Sequence, residues 1–95
     1  MLKKDARFLR MLGDETRLKI IQTLLGGEMC SCKFINITER AQSTVSSHLR
    51  DLEKEGILRS RREGRNILYS IKDKRVYELC KLLNIRGSKV NEDRC

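Results

Sequence analysis

The chain has 95 residues, 39% hydrophobic and 36% charged, and its 21 Lys+Arg against 13 Asp+Glu leave a net charge of +8. That length supports one domain with a single small core, and no triad, paired carboxylates or phosphate loop marks it as an enzyme. Aromatics are only 4% and proline is absent. An aliphatic core is therefore expected, and the basic excess points to a polyanion, nucleic acid first and anionic membrane second.

In chain order, Leu2, Ala6 and Leu9 fall at i, i+4 and i+7, with Phe8 and Leu12 widening the stripe, and predict a first helix that Gly13 interrupts. Met1 to Arg10 is charged throughout and offers no apolar core for a signal peptide. No apolar run approaches the roughly 18 residues of a membrane span, so no membrane partner and a cytoplasmic location are expected, with thiols kept reduced. Asp14 is a good N-cap for a second helix carrying Leu18, Ile21, Leu24 and Leu25, which Gly26-Gly27 stop. From Glu28 to Glu39 the period is ambiguous, and a short helix from about Cys32 to Thr38, with Ser31 as candidate cap, is one reading. Val45, Leu49 and Leu52 then define a clear helix that Gly56 ends.

After Gly56 the period changes. Ile57–Arg62 and Ile67–Ile71 flank Glu63-Gly64-Arg65-Asn66 as a β-hairpin, with Ile67, Tyr69 and Ile71 alternating onto one face. A last helix is expected from about Lys74 to Ile85, carrying Val76, Leu79, Cys80, Leu82 and Leu83. This order predicts an α+β, mostly α, winged helix-turn-helix with extra N- and C-terminal dimerisation helices. Residues 1–85 form the DNA-binding and dimerisation domain in this reading, and 86–95 a polar tail expected to be mobile.

On a helical wheel, Leu49 and Leu52 lie within about 40° of Val45, while Ser43, Ser46, Ser47, Arg50 and Lys54 lie on the opposite side. Short hydroxyls let a helix sink toward base edges, and Arg can bridge guanine O6 and N7. Serine is a mediocre helix former, so a merely solvated face would not favour it. Arg59, Arg61, Arg62 and Arg65 crowd the hairpin, opposed only by Glu63, and suit the DNA backbone or a narrow minor groove. Edge cations that prevent aggregation are the plainer reading of the same residues. His48 sits at the margin of the buried face, where packing or coupling is a more natural role than base contact. Apolar stripes on both terminal helices call for a two-fold partner, matching two half-sites of a double-stranded operator, an imperfect palindrome.

Four motifs in order carry a family resemblance: Leu12-Gly13-Asp14-Glu15-Thr16-Arg17-Leu18, Glu28-Met29-Cys30-Ser31-Cys32, Gln42-Ser43-Thr44-Val45-Ser46-Ser47-His48-Leu49, and Gly56-Ile57-Leu58 with Gly64-Arg65 and Tyr69. Over roughly Leu9 to Asp73 the chain resembles the ArsR/SmtB family of bacterial and archaeal metal-responsive repressors. The resemblance implies a homodimeric repressor that contacts DNA through Gln42, Ser43, Thr44, Ser46, Ser47, His48 and Arg50. It also implies a role for His48 in linking the recognition helix to the sensing region. The implied inducer is a thiophilic metal or metalloid (arsenite, cadmium, lead or zinc), and no cofactor is required for the fold. This sequence has Ile35 where arsenic-binding relatives often have a third cysteine, and no cysteine in Met1 to Arg10, from which cadmium- or lead-binding relatives draw theirs. Its only histidine is His48, so the family's zinc site on the last helix is absent.

Cys30 and Cys32 are the candidate metal ligands, two soft donors that need others to complete a zinc site. Cys95 could supply a further sulfur across a dimer, whereas Cys80 shares an apolar helix face and reads as packing. A helix starting at Cys32 would lower its thiol pKa. Two other readings remain open for the pair: redox or sulfane-sulfur sensing, and no sensing at all. A winged-helix adaptor that docks a protein is the counter-hypothesis for the whole chain, and it predicts weak, sequence-independent DNA binding.

Overall fold

The computed structural model describes residues 1–87. They form α1 (Leu2–Leu12), α2 (Glu15–Leu24), β1 (Met29–Cys30), α3 (Lys33–Thr38), α4 (Gln42–Lys54), β2 (Leu58–Glu63), β3 (Asn66–Ile71) and α5 (Lys74–Leu82). Cys95 and most of the tail expected over 86–95 lie outside the described residues.

The core is mostly aliphatic, with Phe34 and Tyr69 as its buried aromatic rings. Ile20, Ile21, Leu24, Phe34, Val45, Leu49, Leu52, Ile57, Leu58 and Val76 are buried together. Asp14 caps α2 as expected, accepting from the Arg17 backbone N–H at 3.0 Å. The α1 stripe splits: Phe8, Met11 and Leu12 pack on the core, while Leu2 is 85% exposed and Leu9 55%. Arg75 of α5 lies 4.1 Å over the Phe8 ring and ties the last helix to the first.

The six residues of α3 are too few to hold a helix alone. Phe34, fully buried, and Thr38, whose hydroxyl donates to the Phe34 carbonyl at 2.6 Å, pin it to the core. The N-cap is Cys32, without a side-chain cap bond, rather than Ser31, whose carbonyl instead accepts from the Phe34 N–H at 3.3 Å. Glu39, left-handed at φ 56°, ends α3 and begins the turn into α4. Phe34→Ala removes the ring that anchors α3, at an expected cost of about 3–5 kcal/mol. That is a large part of the roughly 5–15 kcal/mol of a typical domain. The check is the urea midpoint, which falls steeply with little change in m.

Two helices end in the same hydrogen-bonded reversal. At α4, Gly56 at φ 77° donates to the Glu53 carbonyl and Ile57 to Leu52, both at 3.0 Å. At α5, Asn84 at φ 60° donates to Lys81 at 3.1 Å and Ile85 to Cys80 at 2.8 Å. The second reversal explains why α5 stops at Leu82 and not at Ile85: Asn tolerates the left-handed turn, and Ile85 folds back on the core.

The strands form an antiparallel sheet in the order β1-β3-β2. Cys30 stands opposite Leu68, Met29 opposite Tyr69, and Arg61 opposite Leu68. Ile67 does not share the burial of Tyr69 and Ile71; near the hairpin tip it has run past the core and is 37% exposed, while Leu68 on the other face is buried. The tip is Gly64-Arg65, with Gly64 at φ 64° making the tight turn.

Candidate nucleic-acid interface and cysteine pair

The turn Glu39-Arg40-Ala41 sets α4 against α3 with Val45, Leu49 and Leu52 inward. Gln42, Ser43, Thr44, Ser47 and Arg50 are exposed, and Ser46 and His48 are half-buried. The first turn of α4 carries no acid and no side-chain cap. No carboxylate of that turn therefore competes for its N–H groups and positive dipole end.

The wing extends beside this helix. Ser60 of β2 donates to the Glu53 carboxylate at 2.6 Å and fixes the wing against the end of α4. Arg59, Arg62 and Arg65 are exposed. Arg61 differs: its guanidinium makes two 2.6 Å bonds to the Glu28 carboxylate and reaches Glu63 at 3.0 Å. These bonds, Glu28 first, raise its already high pKa, so the guanidinium stays charged while the two carboxylates offset it. Sequence patterning missed this pairing, since Glu28 lies 33 residues from Arg61.

Cys30 ends β1 and is only 3% exposed, Cys32 is exposed at the start of α3, and their sulfurs are 2.9 Å apart. Between them, the Ser31 N–H donates to the Ile67 carbonyl at 2.9 Å, so this segment is an edge of the wing sheet. Soft sulfur donors in contact fit a thiophilic metal or metalloid. Among the described residues no group of three or more His, Cys, Asp and Glu is placed to hold a metal ion. The Cys80 thiol is buried in the core, and burial raises its pKa, so it stays protonated as a packing residue.

A second site that patterning missed centres on Arg17. Its Nε donates to the Met11 carbonyl at 2.6 Å and its Nη2 to the Arg10 carbonyl at 3.3 Å, while Nη1 meets Nδ1 of His48 at 3.2 Å. Asp14, held below the usual carboxylate range chiefly by the Arg17 backbone N–H, stands 3.9 Å from Nε2 of His48. A signal was present: a cation in the first turn of a helix opposes the helix dipole and needs another purpose.

The model for the arsR family of bacterial regulatory proteins matches residues 14–60, from the α2 cap through the cysteine pair and α4 into the wing. An HTH-type transcriptional regulator of Methanocaldococcus jannaschii is 42% identical over 83 residues, covering 86% of this chain and 93% of that protein. The chain belongs to the arsR family. Another relative, a cadmium resistance transcriptional regulatory protein CadC homolog of Staphylococcus aureus, is 43% identical over 75 residues, 78% of this chain and 62% of that protein. Among solved structures, the homodimeric winged helix-turn-helix DNA-binding domain of a possible ArsR-family regulator from Mycobacterium bovis matches with a TM-score of 0.78 at 30% identity, covering 88% of this chain and 78% of that one. The winged helix-turn-helix fold and the role of transcriptional regulator, not enzyme, follow from the family. No helix among the described residues is long and apolar enough to cross a membrane.

Proposed function

We propose that this arsR-family protein is a homodimeric repressor that reads an imperfect palindrome through α4 and releases it when a thiophilic metal or metalloid binds Cys30 and Cys32. Gln42, Ser43, Thr44, Ser46, Ser47 and Arg50 face the major groove, and Arg62 and Arg65 lie on the flanking backbone or minor groove. The dimer is supported by the apolar surface on α1 and α5, where Leu2 and Leu9, and Leu82 at 79% exposed, are uncovered. The homodimeric state of the Mycobacterium domain favours the same reading. Two copies place two reading helices on one face of the duplex.

The observation that carries the sensing reading is the Ser31–Ile67 bond. It makes the cysteine segment part of the wing sheet, so a ligand that draws Cys30 and Cys32 together or apart acts on the hairpin that holds DNA. Cadmium is one candidate on the strength of the Staphylococcus relative; arsenite, lead and zinc share its affinity for thiolates. Cys95 is the candidate for a further ligand. A second reading, thiol oxidation or sulfane-sulfur capture by the same pair, is favoured by the contact of the two sulfurs.

The test is footprinting on the DNA upstream of the protein's own gene, then titration of the complex with each ion and with a polysulfide. Protection of a palindrome, release by one of the ions and growth of thiolate charge-transfer absorption are expected. Binding of every ion without release refutes metal-induced derepression, and release by polysulfide alone selects the second reading.

A further inference from the structure

We propose that Arg17 is the positioning residue of the reading helix, acting through Nδ1 of His48. The proposal rests on α4 as the DNA-contacting helix.

One guanidinium joins three helices. Two of its nitrogens donate to the Arg10 and Met11 carbonyls at the C-terminal end of α1, the Arg10 carbonyl also accepting from the Gly13 N–H at 3.2 Å, and the third reaches α4. Its own backbone N–H is fixed on Asp14. Arg has donors only, so Nδ1 of His48 must be the acceptor, and the neutral ring carries its proton on Nε2, the nitrogen facing Asp14. The planar fork spans these acceptors together, which a lysine ammonium cannot do.

The need for such a link follows from the core side of α4. Val45, Leu49 and Leu52 are aliphatic and set its depth, but apolar contacts are non-directional. Side-chain tips lie about 5–6 Å from a helix axis, so a 20° roll carries them about 2 Å, enough to break a base-edge hydrogen bond. His48, on the flank between the buried and reading faces, is where a directional bond stops that roll. Because the bond ends on α1, the angle of α4 is referred to the helix that also bears exposed Leu2 and Leu9.

The experiment is a double-substitution cycle in the full chain on the ratio of operator to non-operator affinity. Arg17→Gln and His48→Phe each lower the ratio about tenfold or more, and the double variant is no worse than either alone. His48→Asn, whose amide oxygen can replace Nδ1, keeps the ratio within about threefold of the parent, while Arg17→Lys behaves like Arg17→Gln. Additive losses, or a parent-like ratio in His48→Phe, overturn the proposal. A readout without DNA protects against misfolding: His48 is the chain's only histidine, so long-range imidazole ¹H–¹⁵N spectra are unambiguous. The Nε2–H tautomer is expected in the parent, with tautomers mixing in Arg17→Lys. The Nδ1–H tautomer in the parent overturns the link. If Arg50→Gln leaves operator affinity unchanged while the tautomer stands, it is the reading of α4 that fails and not the link.

Discussion

Replacing Cys32 by Ser leaves operator affinity close to the parent's and abolishes release by the inducing ion. Cys32 is exposed at the start of α3, where exchanging sulfur for oxygen changes stability by no more than about 0.5 kcal/mol. Cys30→Ser has the same functional outcome but a second cost. Its side chain is buried, and a hydroxyl without a partner there costs about 1–3 kcal/mol, so the single Cys32 variant is the cleaner test. In the parent, allosteric coupling of the usual size makes the ion weaken operator binding by about 5–150-fold. In Cys32→Ser that factor becomes one, because a lone thiolate cannot chelate. Gel-shift titration with and without the ion measures both quantities, and persistent release in the variant removes the cysteine pair from the mechanism.

The second large effect is electrostatic. Arg62→Gln with Arg65→Gln removes two exposed cations from each wing, hence four from a dimer. If each neutralises one phosphate, the slope of log affinity against log salt becomes shallower by about 0.9 per contact, and those contacts account for about a hundredfold of the parent's loss between 50 and 200 mM salt. Glu28→Gln acts in the opposite direction. It frees Arg61 from its two short bonds and steepens the slope, at little cost to the fold since the pair is on the surface. A Glu28→Gln protein with the parent's slope would mean that the Glu28 bonds are not what withholds Arg61 from DNA.

Sequence patterning reads elements long enough to show a period. The apolar spacing of α2 and α4, the Asp14 cap, the Gly56 stop and the hairpin all have signatures that lie within a few neighbouring residues. Strand β1 has none, because two residues cannot display an alternation, and it is a strand only through pairing with β3. The end of α5 depends on Asn84 accepting a left-handed turn, a role more often signalled by glycine. The exposed residues of α4 were legible from the wheel, yet the bond that ties α4 to Arg17 was not: Arg17 and His48 are 31 positions apart. Arg61 was legible as a cation but not as one already paired.

The brevity of α3 gives the cysteine pair a mechanical advantage. Six residues at about 1.5 Å rise make a rod about 9 Å long, with Cys32 at one end and the left-handed Glu39 at the other. The turn beyond Glu39 has only Arg40 and Ala41 before α4 begins, so it has little slack in which to dissipate a displacement. A tug at the sulfurs therefore has two exits of unequal length, one directly into the hairpin through Ser31 and one along the rod to the reading helix. If an inducer binds Cys30 and Cys32 as proposed, both the grip on the duplex backbone and the register on the bases loosen in the same movement.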